Sequence, residues 1–286
     1  MPETFSRKLE LAFAKYGQLC VGIDPHAELL EENGFDQSVL GLREFSFALL
    51  EELSGKVGII KPQISFFERF GSAGFAALEE LCSEATSKGF LVIADAKRGD
   101  IGTTMAAYAS AWLGKSAPFM VDALTVSPYL GVGSLAPAVS IAAERGKGLF
   151  VLCATSNSEG KTLQSARIGD ASVAADVARE VATLNGIAAQ SRSRFGNVGL
   201  VIGATVDVNE FGIASVNSNL ESGFAPVLAP GFGAQGASLK DAKRLFGENA
   251  NNVIYTISRS ALRDGLASVS DVVSRDAKEL AEALSE

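Results

Sequence analysis

Phe90-Leu91-Val92-Ile93-Ala94 runs directly into Asp95-Ala96-Lys97-Arg98-Gly99-Asp100-Ile101. Five consecutive apolar residues that break off into charges read as a short strand buried on both faces, the kind that parallel sheets contain. Side chains alternate along a strand, so Asp95 and Lys97 are expected on one face. Opposite charges at the end of an apolar strand are costly to bury unless water, a partner or a ligand meets them. A structural ion pair and a functional site both satisfy that condition, and the rest of the chain has to decide between them.

The same pattern recurs. Apolar runs at 19–23, 57–60, 119–126, 148–154, 198–203, 225–229 and 253–257 each read as a short buried strand. Most alternate with stretches of helical periodicity, at 38–54, 72–88, 101–113, 132–144, 170–191, 207–216, 235–246 and 260–284. A further amphipathic helix is expected at 3–16, with Phe5, Leu9, Ala12, Phe13 and Tyr16 on one face and Gly17 as its stop. Eight β/α units in 286 residues fit an α/β (β/α)8 TIM barrel better than an open doubly wound sheet. No linker composition interrupts the chain, so one domain over 1–286 is expected.

Composition narrows the function. A net charge of -8 argues against nucleic-acid or anionic-membrane partners, which need a basic face. The three cysteines, Cys20, Cys82 and Cys153, share no metal-ligand spacing and suit buried free thiols in a reducing, cytoplasmic setting. The N-terminal residues lack the apolar core of a signal peptide, and no run approaches a membrane span. His26 is the sole histidine, so Ser-His-Asp and Cys-His chemistry would all depend on it, and no His/Cys cluster exists for zinc. It reads as a loop residue. Asp24, Asp95 and Asp100 offer oxygens to Mg²⁺, but Lys61 and Lys97 beside them argue that the carboxylates already have cationic partners.

The polar residues fall at strand ends: Asp24, Lys61, Asp95 with Lys97, Ser127, Thr155-Ser156-Asn157, the Gly231-Phe232-Gly233-Ala234-Gln235-Gly236 loop and Ser258-Arg259-Ser260. In a (β/α)8 barrel these all lie on the C-terminal face, where such enzymes build their sites. The glycine loop matches the letters of a dinucleotide fingerprint, yet it lies near the C-terminus rather than in a first βα turn. The loops after strands 7 and 8 of a barrel are a frequent phosphate site instead. Gly231 and Gly233 would let backbone N–H groups approach an anion, a following helix N-terminus would favour it, and Arg259 would bind it bidentately. The competing reading is a glycine-rich turn beside a surface arginine.

Taken together, Asp95-x-Lys97-x-x-Asp100-Ile101, Asp24, Lys61, Pro230-Gly231-x-Gly233-Ala234-Gln235 and Arg259 resemble the signature of the orotidine 5′-phosphate decarboxylase family. The wording around Thr104 and Thr125-Val126-Ser127-Pro128-Tyr129-Leu130-Gly131 is similar to its longer bacterial branch, often called type 2. The resemblance implies conversion of orotidine 5′-phosphate to UMP and CO₂ in de novo pyrimidine biosynthesis, with no cofactor. It further implies that Lys97 protonates C6 of the pyrimidine and that Lys61, Asp95, Lys97 and Asp100 form an alternating charge network around that carbon. Asp100, with Ile101 and Thr104, would come from the other subunit of a homodimer; a plain helix N-cap is the alternative for Asp100. Asp24 would bind a ribose hydroxyl, Ser156 the pyrimidine amide edge, with Thr155 or Asn157 as substitutes, Gln235 base and phosphate together, and Arg259 with nearby backbone amides the phosphate. The segment 155–169 and the glycines of 231–236 would move on binding. Two other readings compete: a Mg²⁺-dependent sugar-phosphate decarboxylase of the same suprafamily, and a catalytically silent nucleotide-binding barrel.

Overall fold

A computed structural model describes residues 3–187, 193–213, 224–234 and 236–285. After helix α1 (Phe5–Tyr16) come β1 (Leu19–Ile23), α2 (Ala27–Glu32), α3 (Val39–Leu53), β2 (Ile59–Pro62), α4 (Ile64–Glu68), α5 (Gly71–Ser87) and β3 (Leu91–Arg98). Next are α6 (Gly102–Leu113), β4 (Ala123–Val126), α7 (Ala136–Arg145), β5 (Gly148–Ala154) and α8 (Ser158–Gln164). A small hairpin, β6 (Arg167–Ile168) with β7 (Ala171–Ser172), leads to α9 (Val173–Ile187) and β8 (Val198–Ile202). The chain continues through β9 (Val227–Pro230), α10 (Ala242–Phe246), β10 (Val253–Ile257) and α11 (Val269–Ser285). Eight of the strands close a parallel barrel in the order β1-β10-β9-β8-β5-β4-β3-β2. This is the expected (β/α)8 architecture.

Strand parity explains the two packing layers. Residues such as Cys20, Ile59, Leu91, Ile93, Phe150 and Ile254 fill the barrel interior, while their neighbours, among them Val21, Ile60, Val92 and Ala94, pack outward against the helices. The chain ends of the interior are treated differently. At the N-terminal end α1 acts as a plug: Phe5 is fully buried and meets the Phe150 ring edge-on at 5.7 Å. Gly148 makes room for it, since a Cβ there would sit 2.5 Å from the Phe5 ring. Lys8 Nζ adds an ion pair at 2.7 Å to Asp122, whose other oxygen accepts the Val92 N–H.

Several expected boundaries shift for local reasons. The strand expected at 119–126 begins only at Ala123, because Phe119 stacks on Trp112 and Asp122 turns to meet Lys8. The helix expected at 132–144 opens as a 3-10 turn, Val132–Leu135, before α7 starts with a proline in its first turn. Residues 155–169 contain α8 and half of the hairpin rather than unbroken loop. In place of a helix at 207–216 there are turns through Ile213, with the Asp207 carboxylate accepting the Asn209 N–H; residues 214–216 lie outside the described residues. The stretch at 260–284 begins as two 3-10 turns separated at Gly265, whose φ of +83° interrupts helical geometry. His26 caps α2, its Nδ1 accepting the Leu29 N–H at 3.3 Å. All three thiols are buried and free, and burial pushes each up to about 12, so none is a ready nucleophile.

The plug makes a measurable demand. Phe5→Ala is expected to lower unfolding free energy by about 3–5 kcal/mol and Gly148→Ala by about 1–3 kcal/mol, read by urea denaturation. The double variant should lose less than the sum, because the vacated ring space accepts the new methyl; strict additivity would contradict the packing described.

Candidate active site

Parity carries the interior row upward to the barrel's C-terminal mouth. Cys20 is followed two and four residues on by Gly22 and Asp24, Ile59 by Lys61, Leu91 and Ile93 by Asp95, and Ile254 by Thr256 and Ser258. The same face that is apolar below is therefore polar at the rim.

Asp95 lies between two ammonium groups. Lys61 Nζ donates to its Oδ2 at 2.9 Å and Lys97 Nζ to its Oδ1 at 2.6 Å. The two cations differ in setting: the Lys61 side chain is 6% exposed and that of Lys97 45%. Burial opposes ionisation of Asp95, but Lys61 and then Lys97 outweigh it and hold the carboxyl well below the usual carboxylate range. Burial likewise works against the Lys61 ammonium, and the Asp95 and Asp24 carboxylates reverse it and raise that group above its ordinary value. The result is one fixed anion, one buried fixed cation and one cation that reaches solvent.

The strand does not stop at Ala94, as expected, but continues to Arg98 through an irregularity. β3 pairs Ile93 with Ala123 and Ala94 with Leu124, then Arg98 with Val126, so Asp95, Ala96 and Lys97 together oppose Thr125. Lys97 there has φ +49°, the one positive value at a non-glycine among the described residues.

The other predicted residues divide. Asp24 joins the rim: its Oδ2 accepts from Ser258 Oγ at 2.6 Å, and its buried Oδ1 has no partner. Gly22 permits this approach, since a Cβ there would lie 3.1 Å from that of Ser258. Asp100 stays apart. Its Oδ1 accepts the Ile101 N–H at 2.8 Å, and it forms no ion pair among the described residues, so the charge network within one chain has three members. Nor is Asp100 the N-cap of α6; Ile101 holds that position. The chain is turned outward at Gly99, which packs so closely on the Ser127 carbonyl that a Cβ would lie 2.6 Å from it. Ile101 and Thr104 consequently face outward, Ile101 being 61% exposed. Asp24, Asp95 and Asp100 do not converge as a metal-holding group, and no such cluster occurs among the described residues.

After β5, Thr155 Oγ1 donates to Asn157 Oδ1 at 2.6 Å and the Thr155 N–H to Gln164, so both alternatives to Ser156 are engaged in the turn that starts α8. Ser156 packs over the end of β8, where Gly203 leaves the space: a Cβ would sit 2.8 Å from the Ser156 nitrogen. In the glycine loop Gly231 and Gly233 take φ of +116° and +75°. The Gly233 N–H donates to the Ala237 carbonyl at 2.8 Å, and a Cβ at Gly233 would run into Ser260. The following helical turn starts only at Leu239, which removes the expected helix N-terminus from the loop. Gln235 lies outside the described residues. Arg259 opens the turn after β10, exposed and without an ion pair among the described residues, beside the buried, unpartnered Ser260 Oγ. Thr125 and Ser258, though inside or beside the apolar strands, had no role assigned from sequence; a hydroxyl on the inward parity of an apolar run was the available signal.

A model of the Orotidine 5'-phosphate decarboxylase / HUMPS family matches residues 17–265. The chain belongs to that family. The orotidine 5'-phosphate decarboxylase of Streptomyces coelicolor is 49% identical over 265 residues, 92% of this chain and 91% of that one. A crystal structure from Streptomyces avermitilis shares 45% identity and a TM-score of 0.90, covering 99% of this chain and 97% of that one. The OMP decarboxylase of Leishmania donovani, 31% identical, has a TM-score of 0.79 over 99% of this chain and 100% of that one.

For this family member the difference between the two lysines is testable by stability alone. Lys61→Met is expected to cost about 3 kcal/mol, since it strips a buried carboxylate of its buried partner, while Lys97→Met, half-exposed, should cost less than about 1 kcal/mol. The depressed Asp95 carboxyl contributes stability that is complete above its unfolded value near 4 and lost as pH falls below it. The Lys61 penalty in urea should therefore shrink below about pH 4; a penalty constant down to pH 2 would contradict the pairing.

Proposed function

We propose that the chain is a cofactor-independent carboxy-lyase that converts orotidine 5′-phosphate to UMP and CO₂ in pyrimidine nucleotide synthesis, acting in the cytoplasm. The observation that carries the reading is Asp95 fixed between Lys61 and Lys97 at the barrel mouth; the names of the relatives support the substrate. Loss of CO₂ leaves an electron pair on C6 in the plane of the ring, where the π system cannot delocalise it, so fixed charges must stabilise it. Lys97 is the cation that reaches the open side of the site. Its ammonium stabilises the developing carbanion and then transfers its proton to C6. Asp95 keeps that ammonium charged and in place, and Lys61 keeps Asp95 ionised.

Around that centre, the free Asp24 Oδ1 is an acceptor for a ribose hydroxyl, and Arg259, unpaired among the described residues, is the phosphate anchor. Ser156 contacts the pyrimidine amide edge, and Gln235 bridges base and phosphate. Phosphate binding far from C6 supplies energy that orders the surrounding loops, 155–169 and 231–236. Asp100 serves the site of a second copy. Its lack of an ion pair with the lysines within one chain and the exposed apolar side chains of Ile101, Tyr108, Tyr129 and Leu130 support a homodimer with shared sites.

Absorbance loss on adding orotidine 5′-phosphate tests the activity. The unmodified chain should turn it over, and Lys97→Ala should lower kcat by at least about 10³-fold; a chain that binds UMP but turns nothing over would leave only the silent nucleotide-binding barrel. Mixing inactive Lys97→Ala and Asp100→Ala chains should then restore about a quarter of the activity, because half of the randomised dimers carry one intact site of two. No recovery despite demonstrated subunit exchange would rule out the shared site.

A further inference from the structure

β4 is apolar except for Thr125, which is 1% exposed. A buried hydroxyl needs partners, and those of Thr125 are the two ends of the charged motif. Lys97 N–H reaches Thr125 Oγ1 at 2.9 Å, and Thr125 Oγ1 reaches Asp95 Oδ1 at 3.0 Å. A backbone N–H only donates and an ionised carboxylate only accepts, so the hydroxyl hydrogen points to Asp95 and a lone pair faces the Lys97 amide.

The position is unusual because of the register. In an uninterrupted ladder the strand-3 amide here would meet a strand-4 backbone carbonyl. Instead three residues of β3 oppose the single residue Thr125, and its side chain supplies the acceptor that the backbone does not. The Lys97 ammonium returns to the same Asp95 oxygen at 2.6 Å, which closes a ring: Lys97 amide, Thr125 hydroxyl, Asp95 carboxylate, Lys97 ammonium. A left-handed backbone at a lysine costs energy and persists only where its surroundings over-determine it. The ring is that surrounding.

We infer that Thr125 is a positioning residue that holds the Lys97 backbone in its left-handed conformation and orients Asp95, so that the Lys97 ammonium is delivered to the reacting carbon. Only the kinetic part of this inference rests on the decarboxylase reading. Thr125 itself touches no reacting atom; it acts through the two groups it bridges. Valine at this position keeps the branched shape and removes both hydrogen bonds, whereas serine keeps the hydroxyl and loses a methyl.

The test compares Thr125→Val, Thr125→Ala as a second hydroxyl-free variant, and Thr125→Ser, by steady-state kinetics and by crystallography without ligand. The hydroxyl-free variants should lose about 10²-fold in kcat with KM moved by less than about threefold, and serine should stay within about threefold of the unmodified chain in both. In the Thr125→Val or Thr125→Ala crystal, Lys97 should leave the positive-φ region or lose its contact with Asp95. Unchanged kcat and an unchanged Lys97 backbone in the hydroxyl-free variants would overturn the inference. So would a serine variant impaired as deeply as valine, which would assign the effect to shape. If the unmodified chain turns nothing over, the decarboxylase reading fails, and the Lys97 backbone in the variant crystal still decides whether Thr125 positions it.

Discussion

A carboxylate held between two ammonium groups is the constraint around which the barrel mouth is arranged. Lys61 is buried, and an isolated lysine charge in that place would be driven to neutrality. Asp95 is what permits it, and Lys61 in turn keeps Asp95 ionised against its own burial. Neither group is tenable alone, while Lys97, half in solvent, draws its position from the pair without being needed to sustain it. The arrangement thus separates a buried electrostatic frame from a half-exposed cation held beside it. Preorganisation of this sort requires no rearrangement as charge develops, which is where fixed dipoles and ions outperform water.

The barrel makes the frame possible through parity. Each strand that lines the interior with Cys20, Ile59, Ile93 or Ile254 must present its next same-side residues at the mouth, so polar residues placed there converge without any loop having to position them. Loops after the strands then add what is less constrained: Arg259 beyond β10, the glycine turn beyond β9, and Ser156 beyond β5. The two populations differ in how firmly they are held. Rim residues inherit the rigidity of the sheet, and loop residues depend on local turns such as the Thr155–Asn157–Gln164 contacts.

That division also governs what could be read from sequence. The alternation of apolar runs with helical periodicity was enough for the eight-stranded barrel, and the position of Asp24, Lys61 and Asp95 at strand ends put them on its C-terminal face. The departures arose where a distant pairing overrode the local pattern. The continuation of β3 past Asp95 depends on Val126 receiving Arg98, a contact that the strand-3 sequence does not encode. Phe119 looked like strand because its burial against Trp112 is apolar too. The amide of Gly233 is engaged because the loop closes on Ala237. Asp100, expected to serve another subunit's site, forms no ion pair with the lysines of its own chain among the described residues, and Gly99 before it packs against the Ser127 carbonyl. Sequence conveyed which residues are chemically equipped; the tertiary register determined which of them meet.

The plug formed by α1 has a consequence for the order in which the chain assembles. Its residues are synthesised before the rest of the barrel, but their partners come late: Lys8 reaches Asp122, and the Ser6 N–H reaches the Asn197 side chain, 191 positions along. Until β5 and the region before β8 exist, Phe5 and Leu9 have no pocket to enter, and α1 waits as an amphipathic helix with its apolar face uncovered. Contacts of such long sequence separation slow folding, because the chain between them must be ordered before they form. Docking of α1 is therefore a closing event rather than a nucleus, and a nascent chain stalled before β8 would carry an unsheltered, aggregation-prone surface on α1.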